Sequence, residues 1–150
     1  MPKLDLDTVP ERNTTGYPGS YADDVAGRFV RRIGDAARLA DFGASHVVLR
    51  PGAASAQRHW HEEEDELVVM LWGEAVLVDD HGRTPLGPGD IAVFPMNDGN
   101  GHRIVNESGA DCAFLAIGRD GTGVVHYPDI DLKWNGAADR YEHKDGSAYD

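Results

Sequence analysis

The stretch Gly52-Ala-Ala-Ser-Ala-Gln-Arg-His59-Trp-His61-Glu-Glu-Glu-Asp-Glu66-Leu-Val-Val-Met-Leu-Trp-Gly73 decides how the chain is read. His59 and His61 stand one residue apart, and Glu66 opens the apolar run that follows them. Alternate side chains of a β-strand share a face, so the two imidazoles point the same way, about 7 Å apart along the backbone. That arrangement suits two ligands converging on one metal ion. An isolated His-x-His is also found as two exposed histidines beside an acidic loop. The rest of the chain has to separate these readings.

The chain has 150 residues, of which 41% are hydrophobic and 27% charged, which is the composition of one globular domain. Its formal charge of −12 argues against a nucleic-acid partner, because phosphate binding needs concentrated Lys and Arg. The same charge argues against docking on an anionic membrane surface. A small anionic ligand is not excluded, because a buried cation can override the global field locally. Cys112 is the only cysteine, so neither an intrachain disulfide nor a cysteine zinc site can form. The N-terminal stretch lacks the apolar core of a signal peptide, and the longest apolar run, residues 67–72, is too short to span a bilayer. The expected location is cytoplasmic.

Outward from the opening stretch, turn signals recur every 8 to 12 residues or closer, and no window keeps a helical period. Strands are expected over residues 27–33, 45–49, 57–61, 66–72, 75–78, 83–86, 91–94, 102–106, 112–118 and 124–127, which makes an all-β sandwich or barrel. Gly73-Glu74 reads as a tight hairpin turn joining two of them. A short helix is allowed over residues 35–40. The domain plan is an N-terminal arm (1–26), a β-barrel (27–127) and a polar C-terminal tail (128–150). In residues 66–72 both parities are apolar, so the outer face of that strand needs a cover. The arm or a second copy of the chain would supply it, and a homodimer is the expectation.

A second motif completes the reading: Gly89-Asp-Ile-Ala-Val-Phe-Pro95-Met-Asn-Asp-Gly99-Asn-Gly-His102-Arg-Ile-Val-Asn106. Together the two stretches resemble the cupin superfamily, whose barrels carry G-x5-H-x-H-x3,4-E-x6-G and G-x5-P-x-G-x2-H-x3-N. Gly52, His59, His61, Glu66 and Gly73 fit the first motif, with one extra residue before His59. Gly89, Pro95, Gly99, His102 and Asn106 fit the second, with two extra residues between Pro95 and Gly99. The segments around Gly27-Arg28 and Val125–Asp131 also look like a branch of small bacterial single-domain cupins, some of which carry a sugar-phosphate isomerase label.

The resemblance implies a double-stranded β-helix, the cupin jelly-roll barrel, with a metal held by His59, His61, Glu66 and His102. Three imidazoles and a carboxylate suit a divalent transition metal, Fe, Mn, Ni, Co, Cu or Zn, better than Ca²⁺ or Mg²⁺. The function implied is a metal-dependent enzyme on a small organic molecule, either a dioxygenase or an isomerase or lyase such as a sugar-phosphate isomerase. The alternative is a non-catalytic small-molecule binding or sensing module. A phosphate would need Arg or Lys facing the cavity. Arg58 and Arg103 neighbour the candidate ligands, but strand parity turns both away.

Other residues attract plainer readings. Glu62, Glu63, Glu64 and Asp65 read as a solvated loop, because adjacent carboxylates repel. Trp60 is expected to point outward and pack under the arm, and Met70, Trp72 and Phe94 to fill the core or line the cavity. Asn97, Asp98 and Asn100 either favour turns or hydrogen-bond a ligand. Cys112 reads as a buried apolar residue, and Tyr141 or His143 would reach a ligand only if the tail closes the barrel mouth.

Overall fold

A computed structural model of the chain describes residues 3–119 and 121–149. The strands run β1 (Glu11–Arg12), β2 (Arg28–Arg32), β3 (Gly43–Leu49), β4 (Trp60–His61), β5 (Glu66–Trp72), β6 (Ala75–Asp79), β7 (Gly82–Leu86), β8 (Ile91–Phe94), β9 (Arg103–Val105), β10 (Cys112–Gly118), β11 (Val124–Tyr127), β12 (Leu132–Asn135) and β13 (Arg140–Glu142). One short helix, α1 (Ile33–Ala37), follows β2, and two 3-10 turns occupy Leu6–Thr8 and Gly19–Val25. No helix among the described residues is long and apolar enough to cross a membrane.

Three antiparallel sheets form, ordered β1-β2-β3-β10-β5-β8, β7-β6-β9 and β13-β12-β11-β4. The expected all-β jelly roll is the fold. Its core lies between the sheets and follows the period of two along each strand. Val47 and Leu49, Val68 and Met70, Ala92 and Phe94, Ile104 and Phe114 all turn inward and meet in one buried cluster. Cys112, wholly buried, belongs to the same cluster and is a packing residue.

The turn at Gly73 differs from the expected hairpin. β5 pairs with β10 and β8, whereas β6 pairs with β7 and β9, so the chain crosses from one sheet to another at this point. Gly73 has φ 77°, and a Cβ there would sit 2.7 Å from the Asp111 carbonyl oxygen and the Cys112 Cα. Both the positive φ and that close approach demand glycine. Asn106 closes the second motif structurally. Fully buried, it donates from Nδ2 to the carbonyls of Leu49 and Ala110 (2.8 Å each) and accepts from the Ser108 N–H and hydroxyl.

The segments outside the two motifs depart furthest from expectation. β1 of the arm pairs with β2, at the sheet edge opposite β8, and Arg31 fastens the arm by donating to the Leu6 and Val9 carbonyls. The arm therefore does not cover the outer face of β5, and Leu71, Ile91 and Val93 stay exposed. Residues 128–149, expected as part of a polar tail, contribute β12 and β13 to a sheet with β11. Glu142 accepts from Arg140 along β13 at 2.9 Å and faces Lys133 across the β12–β13 pair at 3.5 Å. Leu132, Val125 and Tyr127 form a second small core, packed against Tyr17, Trp134 and Tyr141. Trp60 points outward as expected, but stacks on His126 of β11 (4.3 Å, 16°) rather than under the arm.

Candidate metal centre

The two sequence motifs meet through the backbone. His59 and His102 face each other in a bridge and exchange both main-chain hydrogen bonds, N to O at 3.1 and 2.8 Å. This is the hydrogen-bonded type of antiparallel pair, with side chains of directly opposed residues on one face. The two rings accordingly come to 4.7 Å between centroids. Two residues along the chain, His61 in β4 lies 4.9 Å from His59, ring to ring. Glu66, the first residue of β5, reaches in from the facing sheet. Its Oε2 stands 3.4 Å from His61 Nε2 and its Oε1 3.6 Å from His102 Nε2.

Donor atoms of His59, His61 and Glu66 all lie within 4.8 Å of one another, and His102 joins them through Glu66. The four residues singled out by sequence are thus brought to one place. Separations of 3.4 to 3.6 Å are long for hydrogen bonds. They suit atoms that each sit about 2.1 Å from a shared ion. The Nε2 atoms of His61 and His102, both turned toward Glu66, are buried with no well-formed hydrogen bond. Buried polar atoms left without partners are costly, so two of them facing one carboxylate call for an occupant.

His59 is set for coordination by its own strand. Its Nδ1 donates to the Gln57 carbonyl (2.8 Å), which leaves the Nε2 lone pair free. Burial, with the neighbouring His102, pulls His59 down to about 4, so it is neutral at pH 7. Burial also opposes the charged form of His61, but the carboxylates of Glu64 and Glu66 override it and raise His61 to about 9. Burial alone would raise Glu66, yet His102 and His61 hold its carboxyl well below the usual range. Without a metal, the cluster keeps a proton on His61 as a substitute cation.

The acidic loop is not simply solvated. Glu64 is largely buried, accepts the Gly121 N–H from Oε1 (2.9 Å), and places Oε2 3.2 Å from His61 Nδ1. Glu62 meets His126 Nε2 at 2.6 Å, and Asp65 accepts the Met96 N–H at 2.9 Å. Mutual repulsion is relieved because each of these three side chains has its own partner. Phe94 lies flat on His102, with centroids 3.5 Å apart and planes within 4°. Met70 is buried core and Trp72 is exposed.

The cluster opens into a cavity of about 350 Å³ inside the barrel, walled by Val47, Val68, Phe94, Ile104 and Phe114. Arg58 and Arg103 do point away. Arg58 forks onto both oxygens of Asp129 at 2.7 Å and contacts Asp80, while Arg103 meets Asp24 at 3.2 Å. Sequence reasoning missed Arg28 and Arg32, which line the cavity from β2 with Val30. The signal was present in the alternation Arg28-Phe-Val30-Arg-Arg32, whose odd face holds Phe29 and Arg31. Asn100 takes the turn role, accepting the Asp80 N–H and donating to Asp79. Tyr141 packs in the second core and His143 pairs with Asp131, both away from the cavity lining.

Comparison with known proteins agrees with the fold. A family model described as the cupin domain matches residues 45–118. A crystal structure from Silicibacter pomeroyi, described as a sugar phosphate isomerase of the cupin superfamily, is 42% identical. The match covers 99% of this chain and 97% of that one, with a TM-score of 0.93. An oxalate-binding protein of Thermotoga maritima is 34% identical over 67 residues, 45% of this chain, and the match spans only 54% of that protein. The polyketide cyclase RemF from Streptomyces resistomycificus is 24% identical over 79% of this chain and 78% of its own, with a TM-score of 0.63, which is a likeness of fold.

Proposed function

The chain belongs to the cupin superfamily, and we propose that it is a metal-dependent enzyme, an isomerase or lyase acting on a small oxygenated organic molecule inside the barrel. The observation that carries this reading is the convergence of His59, His61, Glu66 and His102, with orphaned ring nitrogens, at the wall of a cavity in the barrel. These four residues would hold a divalent transition metal. A nitrogen-rich set with one carboxylate suits Fe, Mn, Ni, Co, Cu or Zn. Such an ion, when bound, supplies Lewis-acid polarisation of a carbonyl or hydroxyl oxygen on the substrate.

The chain's own residues do the rest. The Gln57 carbonyl fixes the tautomer and ring plane of His59, Glu64 faces the outer nitrogen of His61, and Phe94 orients His102 by stacking. The aliphatic and phenyl side chains of Val47, Val68, Phe94, Ile104 and Phe114 give the cavity an apolar wall, which would strengthen charge interactions beside it. A relative named as a sugar phosphate isomerase, 42% identical along nearly the whole chain, supports the isomerase class.

A second reading, a non-catalytic binding module, is favoured by one feature of the lining. Apart from Glu66, its only carboxylate among the described residues is Asp35, which faces Arg32 (3.8 Å) near the exposed mouth. A free general base is therefore not built into the wall. Proton NMR in D₂O of the metal-loaded protein with aldose and ketose phosphates and 2-hydroxy acids separates the two. Deuterium entering beside the carbonyl, or product formation, supports the enzyme. Saturable binding with no exchange supports the binding module, and oxygen uptake by an iron form would indicate a dioxygenase instead.

For assembly we propose a homodimer. Ile117, Leu67 and Val93 form one row across β10, β5 and β8, and Leu115, Val69 and Ile91 form the next. Ile91 and Val93 are 63% and 65% exposed on a free strand edge, which is an aggregation hazard unless covered. Light scattering should give twice the chain mass, and Val93→Lys should halve it. A wild-type monomer at micromolar concentration contradicts the dimer. The single buried Cys112 accords with a cytoplasmic setting.

A further inference from the structure

We propose that Arg28 anchors an oxyanion, a carboxylate or a phosphate, on the small molecule that enters the barrel. The ligand would then span from the histidine cluster to the guanidinium. This deepens the metal-centre reading and rests on it for the other end of the ligand.

Strand parity aims Arg28, Val30 and Arg32 into the cavity that also holds His59, His61, Glu66 and His102. Arg28 is half-buried there, and its Nη1 donates to the Ser55 carbonyl at 2.7 Å. That bond fixes one arm of the planar fork. Its remaining N–H groups make no hydrogen bond, and Arg28 makes no ion pair, among the described residues. The chain has 26 acidic residues against 14 basic ones, so carboxylates are in surplus. The other shielded arginines take them up: Arg31 faces Glu11, Arg58 holds Asp129 and Asp80, and Arg103 meets Asp24.

An arginine kept apart from that surplus, and pinned by a neutral carbonyl inside a cavity, retains its charge for something that comes from outside. Guanidinium forks match carboxylate and phosphate oxygens in two-point hydrogen bonds, which is where arginine outperforms lysine. Arg32 is a weaker candidate, because it is exposed and already faces Asp35. A cavity of about 350 Å³ limits the ligand to a small molecule.

The test is isothermal titration of the full chain, in Co²⁺-loaded and in chelator-treated form, with glycolate, glycolaldehyde phosphate and the neutral glycolamide. Wild type is expected to bind at least one anion about tenfold or more tightly than the amide, as charged hydrogen bonds do. Arg28→Met should lose that preference while taking up Co²⁺ as wild type does, and Arg28→Lys should retain part of it. The anion that depends on Arg28 names the oxyanion. Anion preference unchanged in Arg28→Met, or no preference in wild type in either form, would overturn the proposal. If wild type takes up no Co²⁺, the metal reading fails by itself. Arg28-dependent anion binding to the chelator-treated protein would still support the anchor.

Discussion

The ring of His102 rests face to face on the ring of Phe94, 3.5 Å between centroids and 4° from parallel. Neither nitrogen of His102 has a hydrogen-bond partner, so packing alone fixes the plane in which it offers its lone pair. Phe94 therefore acts on the metal through His102. Phe94→Leu keeps an apolar side chain but removes the stacked pair, which is worth about 0.5–1.5 kcal/mol. Metal affinity, measured by competition with a chromophoric chelator, should fall by a few-fold to about tenfold. Phe94→Ala, which also opens a hole in the core, should lose about 3–5 kcal/mol of stability in denaturant titration.

Glu64 stands 3.2 Å from the outer nitrogen of His61 and is anchored in place by the Gly121 N–H. Carboxylates behind a ligating histidine orient it and raise its basicity, and their loss commonly weakens metal binding about 10–100-fold. Glu64→Gln retains an oxygen for Gly121 and loses the charge. Its melting temperature in chelator should fall at neutral pH, where Glu64 supports the protonated His61, and its metal dissociation constant should rise by that factor. An unchanged constant would return Glu64 to the solvated loop.

The two histidines of the opening motif titrate in opposite directions in the metal-free chain. His59 is lowered to about 4 by burial, so its contribution is complete above the ordinary histidine value near 6.5. That contribution is lost as pH falls from there towards 4. His61 is raised to about 9 by Glu64 and Glu66 against burial, so its contribution is complete below about 6.5 and fades as pH rises through 9. Metal-free protein should be most stable near pH 6.5. Metal needs His61 neutral, so the gain in melting temperature on loading should grow between pH 6.5 and 9. Thermal unfolding with and without chelator across this range checks both arms, and a gain that shrinks with rising pH would contradict them.

What the sequence made legible was the part written in short, rigid spacings. His59 and His61 share a strand face by parity, and His102 sits opposite His59 because two antiparallel segments pair there. The strands over Ile91–Phe94, Cys112–Gly118 and Val124–Tyr127 were readable because apolar runs end at clear breakers. Gly73 misled because a glycine turn between two apolar runs looks like a hairpin, while the partner that forbids one, Cys112, is distant in sequence. β12 and β13 were hidden by their charged residues, which are satisfied across strands rather than by water. Glu64 and Arg28 were missed for a related reason: each owes its role to residues far along the chain, Gly121 for one and the barrel interior for the other.

Elemental analysis of protein purified without added metal, beside a His61→Ala, His102→Ala double variant, bears most directly on whether the barrel holds a metal centre. Wild type should carry close to one transition-metal ion per chain, and the double variant only traces, with the barrel still folded by circular dichroism. Equal trace quantities in both, and a wild-type melting temperature indifferent to chelator, would show that His59, His61, Glu66 and His102 do not form a metal site.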